Sequence, residues 1–166
     1  MKSYVPYDDA VDLLDADHQA VKKLFIDFNA LCADDAAPEV KRATAEKICQ
    51  ALLVHTQIEE EIFYPAVRDG TGDKSLIEEA IDEHAQAKET IATIQTMNAS
   101  DEGYDATVQR LGELIDAHVL EEREQMFLEA RQAPMDLKAL AVLLFERKQT
   151  LLASAAKSKA KQQVVA

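Results

Sequence analysis

The chain has 166 residues, of which 48% are hydrophobic and 30% charged, with only four glycines and four prolines. That length fits one domain with a real core, and the balance excludes a disordered chain. The net charge of −13 disfavours nucleic acid and anionic membranes as partners and favours cations.

The charge is uneven. From Arg147 onward there are five basic residues (Arg147, Lys148, Lys157, Lys159 and Lys161) and no acidic one, so the first 146 residues carry −18. No run of about 18 apolar residues exists to span a membrane. The N-terminus lacks an apolar signal core, so the expected location is cytoplasmic. Cys32 and Cys49 make a poor disulfide framework and read as ordinary reduced thiols.

The periodicity predicts an all-α protein: an up-down-up-down four-helix bundle over 1–133, then a C-terminal helix and basic tail over 134–166. Helix 1 is predicted from Asp8 or Asp9 to Ala33, with Val11, Leu14, His18, Val21, Phe25, Phe28 and Cys32 along one seam. The alternating steps of three and four are those of a bundle-packing stripe. Pro38 suits a first helical position. Helix 2 then runs to about Val67, with Val40, Thr44, Ile48, Ala51 or Leu52, His55, Glu59, Ile62 and Ala66 inward. Pro65 is expected to kink or end it, and Asp69–Asp73 to form a turn.

Helix 3 is predicted over Lys74–Asn98, with Ile77, Ile81, His84, Lys88, Ile91 and Ile94 inward. Helix 4 is predicted over Tyr104–Ala133, with Val108, Leu111, Ile115, His118, Glu122, Gln125 and Glu129 on its seam. A fifth helix, from Met135 to about Lys157, carries Leu137, Leu140, Ala141, Leu144, Phe145, Leu151 and Leu152. Its apolar face has two plausible uses, packing on the bundle flank or a homodimer contact.

His18, His55, His84 and His118 are the only histidines in the chain, one in each bundle helix. Each stands where its stripe asks for an apolar residue. Their heights agree. His18 lies about 15 residues before the first turn and His55 about 17 after it, roughly 22 and 25 Å along the axis at 1.5 Å per residue. His84 and His118 each lie about 14 residues, near 20 Å, from the 99–103 turn. Four imidazoles therefore share one layer, with Glu59 and Glu122 one turn away on the same inward stripe. Burying these groups unpaired would cost several kcal/mol each. Bound dications remove that cost, because neutral imidazole and carboxylate are metal ligands. Six donors exceed one tetrahedral zinc and suit two carboxylate-bridged metals. Ligand type alone admits iron, manganese, zinc or mixed pairs.

The motifs Asp15-Ala-Asp-His18, His55-Thr-Gln-Ile-Glu59 with the following Glu-Glu-Ile-Phe-Tyr64-Pro65, Glu83-His84, and His118-Val-Leu-Glu-Glu122 span roughly residues 9–133. Together they resemble the haemerythrin-like (HHE cation-binding) domain family. The resemblance implies a left-handed bundle around two non-haem iron ions with an oxo or hydroxo bridge. It implies dioxygen, peroxide or nitric oxide as the small ligand. By the same resemblance Glu59 and Glu122 bridge the irons, with His18 and His55 on one and His84 and His118 on the other.

Two positions depart from the oxygen carriers of that family. Lys88 stands where carriers have a histidine one turn after the third-helix histidine, and helix 4 has His-x3-Glu with Arg123 at the carrier aspartate's place. Four histidines instead of five leave both metals under-coordinated, which favours sensing, iron or redox homeostasis, or reaction with peroxide or nitric oxide over transport. Glu121 and Tyr64 are the candidates to fill the gap. Lys88 has two readings, pairing with a bridging carboxylate or snorkelling out past the seam, and the second is favoured slightly. Glu60, Glu61 and Glu129 are read as solvated, and Phe25, Phe28, Phe63 and Phe127 as core. No catalytic residue is assigned. A catalase- or peroxidase-like enzyme remains the alternative, with Lys88 or Tyr64 as its hint of a general acid or base.

Overall fold

The computed structural model describes residues 4–165, which form five long helical segments and no strand among the described residues. Helix α1 spans Ala10–Ala33. Its first turn is closed by Asp9, whose carboxylate accepts from the Asp12 amide at 3.0 Å. Helix α2 is composite: an α-helix over Pro38–Ile58, a π-helical turn over Glu59–Phe63, and an α-helix again over Tyr64–Thr71. Helix α3 spans Lys74–Thr96 and is capped by Asp73, which accepts from the Leu76 amide.

Helix α4 repeats the α2 plan, with an α-helix over Tyr104–Glu121, a π turn over Glu122–Met126 and an α-helix over Phe127–Gln132. Helix α5 spans Leu137–Val165. It packs against α1, α2 and the α2 π turn, with Ala141 and Leu144 buried, so its apolar face is used on the bundle flank.

The π turns correct the seams drawn from sequence. In each, an amide reaches back five residues instead of four: Tyr64 N–H to the Glu59 carbonyl, and Phe127 N–H to the Glu122 carbonyl. One extra residue is absorbed, and every inward position beyond it moves on by one. Thus Phe63 and Val67 are buried, not Ile62 and Ala66. Likewise Met126 and Ala130 are buried, not Gln125 and Glu129. Pro65 does not end α2. The π turn lies immediately before it, and the helix runs on to Thr71, where Gly72 at φ +78° closes it. Val40 and Ile81, expected inward, are 49% and 42% exposed.

The core is split in two. Leu13, Leu14, Ile58, Phe63, Val67, Ile77, Met126 and Leu144 pack at the α5 end. Val21, Phe28, Ile48, Leu52, Ile91, Val108 and Leu111 pack toward the α1–α2 and α3–α4 turns. Between them lies a layer of buried polar groups.

Candidate metal centre

The polar layer holds all six residues singled out from the sequence. His18, His55, His84 and His118 are 6%, 4%, 1% and 4% exposed, and Glu59 and Glu122 are 0% and 2% exposed. The imidazoles face each other in pairs. His18 Nε2 lies 3.0 Å from His55 Nε2, and His84 Nε2 lies 3.0 Å from His118 Nε2.

Each carboxylate straddles both pairs. Glu59 places one oxygen 3.2 Å from His55 Nε2 and the other 3.2 Å from His84 Nε2. Glu122 places one oxygen 3.2 Å from His18 Nε2 and the other 3.5 Å from His118 Nε2. Donor atoms of His18, His55, Glu59 and Glu122 lie within 4.8 Å of one another, as do those of Glu59, His84 and His118.

The groups around the layer set the imidazole tautomers. Asp17 lies 3.2 Å from His55 Nδ1, Glu60 2.9 Å from His84 Nδ1, and Glu83 hydrogen-bonds His118 Nδ1. A proton held on each Nδ1 turns the Nε2 lone pair toward the layer, which is how metal-ligating histidines are oriented. These three acidic residues adjoin ligand candidates in sequence (Asp17–His18, Glu59–Glu60, Glu83–His84), yet each braces a histidine on another helix. Glu60 is therefore not simply solvated, as the sequence suggested. It also accepts from Lys88 Nζ at 2.7 and 2.8 Å. Lys88 does point outward, and its partner is Glu60 and not a bridging carboxylate. His18 differs from the other three: its Nδ1 is buried without a hydrogen-bond partner among the described residues, and its ring stacks on Phe127 at 5.7 Å.

Tyr64 joins the layer. Its hydroxyl donates to Glu122 Oε1 at 2.7 Å and lies 3.3 Å from Glu59 Oε2, 3.1 Å from His84 Nε2 and 3.4 Å from His118 Nε2. The π turn puts it there, since the residue five after Glu59 comes back over the same face. The matching residue five after Glu122 is Phe127, which has no hydroxyl. A repeated signal, His-x3-Glu-x4-aromatic, was present in both halves of the sequence. Glu121, the other candidate for the gap, sits beside Glu83, whose charge raises its carboxyl pKa.

Electrostatics fit a cation. Burial opposes charging His55, but Glu59 and Asp17 outweigh it and push the imidazole up to about 10. Burial likewise opposes charge on His118, and Glu122 with Glu59 and Glu83 pushes it up to about 9. Burial works against the Glu122 carboxylate too, but His118 and His18 hold its pKa well below the usual range. Burial and the charges of Glu59 and Glu122 keep the proton on Tyr64.

A layer that demands positive charge this strongly suits a metal ion. Glu59 Oε1 and Glu122 Oε2 are also buried with no hydrogen-bond partner among the described residues, and both point at imidazole Nε2 atoms. Buried oxygens of that kind are costly unless something cationic meets them.

The family model described as "Hemerythrin HHE cation binding domain" matches residues 9–130. The chain belongs to this hemerythrin HHE family. A solved structure of a hemerythrin HHE cation-binding-domain protein from Mycobacterium kansasii superimposes with a TM-score of 0.75, covering 90% of each chain at 23% identity. That likeness shows the same fold. A curated protein from Nostoc sp. described as a DNA nickase is 28% identical over 120 residues, which are 72% of this chain and 33% of that one. The chain thus spans about a third of that relative's length. The chain thus carries an HHE cation-binding domain, and the buried histidine–glutamate layer is a group within it whose donor atoms could hold a metal ion. Among the described residues, no helix is long and apolar enough to cross a membrane.

Proposed function

We propose that the chain is a non-haem di-iron protein that binds or senses dioxygen or a related small oxidant, in the service of iron or redox homeostasis. In this reading His18, His55 and one oxygen from each of Glu59 and Glu122 hold one ion. His84, His118, the other two oxygens and the Tyr64 hydroxyl hold the second. Iron so held supplies one-electron chemistry with small oxidants.

The observation that carries the reading is the straddling of both histidine pairs by both carboxylates, which makes two adjoining donor sets out of one layer. A small cleft beside the layer suits a small ligand. It is lined by the four histidines, Thr56 and the aliphatic Val21, Leu52, Ile115 and Val119, with room for about one water-sized molecule (about 10 Å³). The nickase description of the Nostoc relative is not carried over, because a net charge of −13 repels a phosphodiester backbone.

One feature favours a second reading, an enzyme that reduces peroxide or handles nitric oxide. Tyr64 holds a proton inside the donor layer, within 2.7 Å of Glu122, where a general acid would be needed. Metal analysis with an absorption spectrum of the oxidised protein, with and without azide, tests the first reading. Two irons per chain and a charge-transfer spectrum that shifts with azide are expected. Protein purified from iron-replete cells with no metal bound refutes both readings. Steady peroxide turnover that disappears in His118→Ala selects the enzyme.

A further inference from the structure

The three braced histidines are not braced alike. Behind His84, Glu60 is held by Lys88 of α3, which lies within the span matched by the family model. Behind His55, Asp17 is held by Lys148 of α5, whose Nζ donates to Asp17 Oδ1 while Oδ2 faces His55 Nδ1. Lys148 lies beyond residue 130, outside that span. The Lys148 and Asp17 side chains are only 21% and 11% exposed, so the pair is shielded from the solvent screening that makes surface ion pairs weak. Next to it, Arg147 grips Glu61 through two hydrogen bonds of 2.6 and 3.0 Å, and Glu61 lies in the π turn that carries Glu59. Two successive basic residues of α5 thus reach the two strands of chain that present His18, His55 and Glu59.

We infer that Lys148 is a positioning residue of the metal centre: by fixing Asp17 on His55 Nδ1, the C-terminal helix sets how tightly the ion between His18 and His55 is held. This rests on the two-ion reading above. The physical chain is short. Asp17 sits at the edge of the bundle, and without the ammonium a nearly buried carboxylate keeps only one partner and swings toward water. His55 then loses the acceptor that fixes its tautomer and ring orientation. His18 cannot compensate, because its own Nδ1 has no hydrogen-bond partner among the described residues. The ion on His84 and His118 keeps Glu60, Lys88, Glu83 and Tyr64, and feels the change only through the shared Glu59 and Glu122. The effect therefore falls unequally on the two ions, which a general loss of helix packing would not produce.

The test compares the wild-type chain, Lys148→Met, Lys148→Arg and Leu144→Ala, each loaded with ferrous iron without oxygen and challenged with a graded chelator. Metal per chain, the midpoint potentials of the centre and the melting temperature of the metal-free chain are read. In Lys148→Met one ion is expected to be lost at 10–100-fold lower chelator strength, the usual cost of removing a group that orients a ligand, while the second ion stays. The two midpoint potentials move by unequal amounts, because the ions share Glu59 and Glu122 but only one of them rests on Asp17. Lys148→Arg restores the wild-type profile, and Leu144→Ala, which loosens the same helix through its buried apolar face and leaves Lys148 and Asp17 in place, retains both ions.

Wild type that takes no iron, or only one, refutes the two-ion reading and this inference with it. Wild type that takes two, with Lys148→Met holding both as tightly, refutes this inference alone. Equal loss of both ions in Lys148→Met, or the same loss in Leu144→Ala, also overturns it, because helix docking and not Asp17 would then be the cause.

Discussion

Tyr64→Phe removes one oxygen from the centre of the donor layer and nothing else. That oxygen donates to Glu122 at 2.7 Å, inside a residue that is 1% exposed. A hydrogen bond to a buried charged group contributes about 1.5–3 kcal/mol. The phenyl ring still packs, because the edge that faces Phe63 at 6.3 Å is unchanged. Glu122 keeps His18 and His118, so the loss falls in the middle of the range, about 2 kcal/mol. For a domain of this size each kcal/mol moves the melting temperature by about 2–4 °C, which gives a fall of about 4–8 °C. Circular-dichroism melts of metal-free wild type and variant measure it, and a difference below about 1 °C refutes the assignment of the phenol as a donor to Glu122. Iron loading adds a second readout. Coordination by the phenol predicts a visible charge-transfer band that Tyr64→Phe abolishes while six donors still hold metal. An identical spectrum in both proteins removes Tyr64 from the ligand set.

His84→Ala is expected to halve the metal content, since it deletes one imidazole of the pair that faces Tyr64; unchanged iron per chain by metal analysis removes His84 from the site. The metal-free and loaded proteins should respond oppositely to pH. The raised pKa values of His55 and His118 stabilise the metal-free fold fully below pH 6.5, and that contribution is lost as pH rises through about 9 to 10. The lowered Glu122 contributes above its ordinary value of 4.5 and loses that contribution as pH falls through its folded value. Metal-free stability therefore peaks between 4.5 and 6.5, while bound metal needs bare imidazoles and gains with pH. Melts from pH 5 to 10 check this, and a metal-induced rise in melting temperature that shrinks with pH contradicts it. Leu144→Ala, which empties a fully buried site under α5, is expected to cost about 2–5 kcal/mol by denaturant unfolding. A cost under about 1 kcal/mol means α5 is not docked through that face.

The helices and the polar layer were legible because both depend on simple periods. Stripes of three and four gave the helices, and equal distances from shared turns put the histidines at one height. What was not legible was a change of period. A stripe drawn at 3.6 residues per turn continues past Glu59 to Ile62 and Ala66, and nothing in local propensity opposes it. The π turn is favoured by the layer itself. Glu59 and Tyr64 must both reach the imidazoles, and an α-helix would carry residue five round toward solvent. The same holds at Glu122 and Phe127. The outer carboxylates were hidden for a different reason, since Asp17, Glu60 and Glu83 each brace a histidine on another helix, 38, 24 and 35 residues away in sequence.

The two π turns also explain why the halves of the bundle are not equivalent. Both deliver an aromatic ring to the layer at the fifth position after the glutamate. On one side the ring ends in a hydroxyl that meets Glu122, His84 and His118. On the other, Phe127 offers His18 only its face, with interplanar angle 11°, and leaves His18 Nδ1 unmatched. One donor set is thereby polar and fully braced, and the other is flanked by an apolar ring and tied to the C-terminal helix through Asp17. Two metals in such a layer would differ in affinity and potential although their direct ligands nearly match. A single oxygen, present in Tyr64 and absent in Phe127, is the smallest covalent change that separates them.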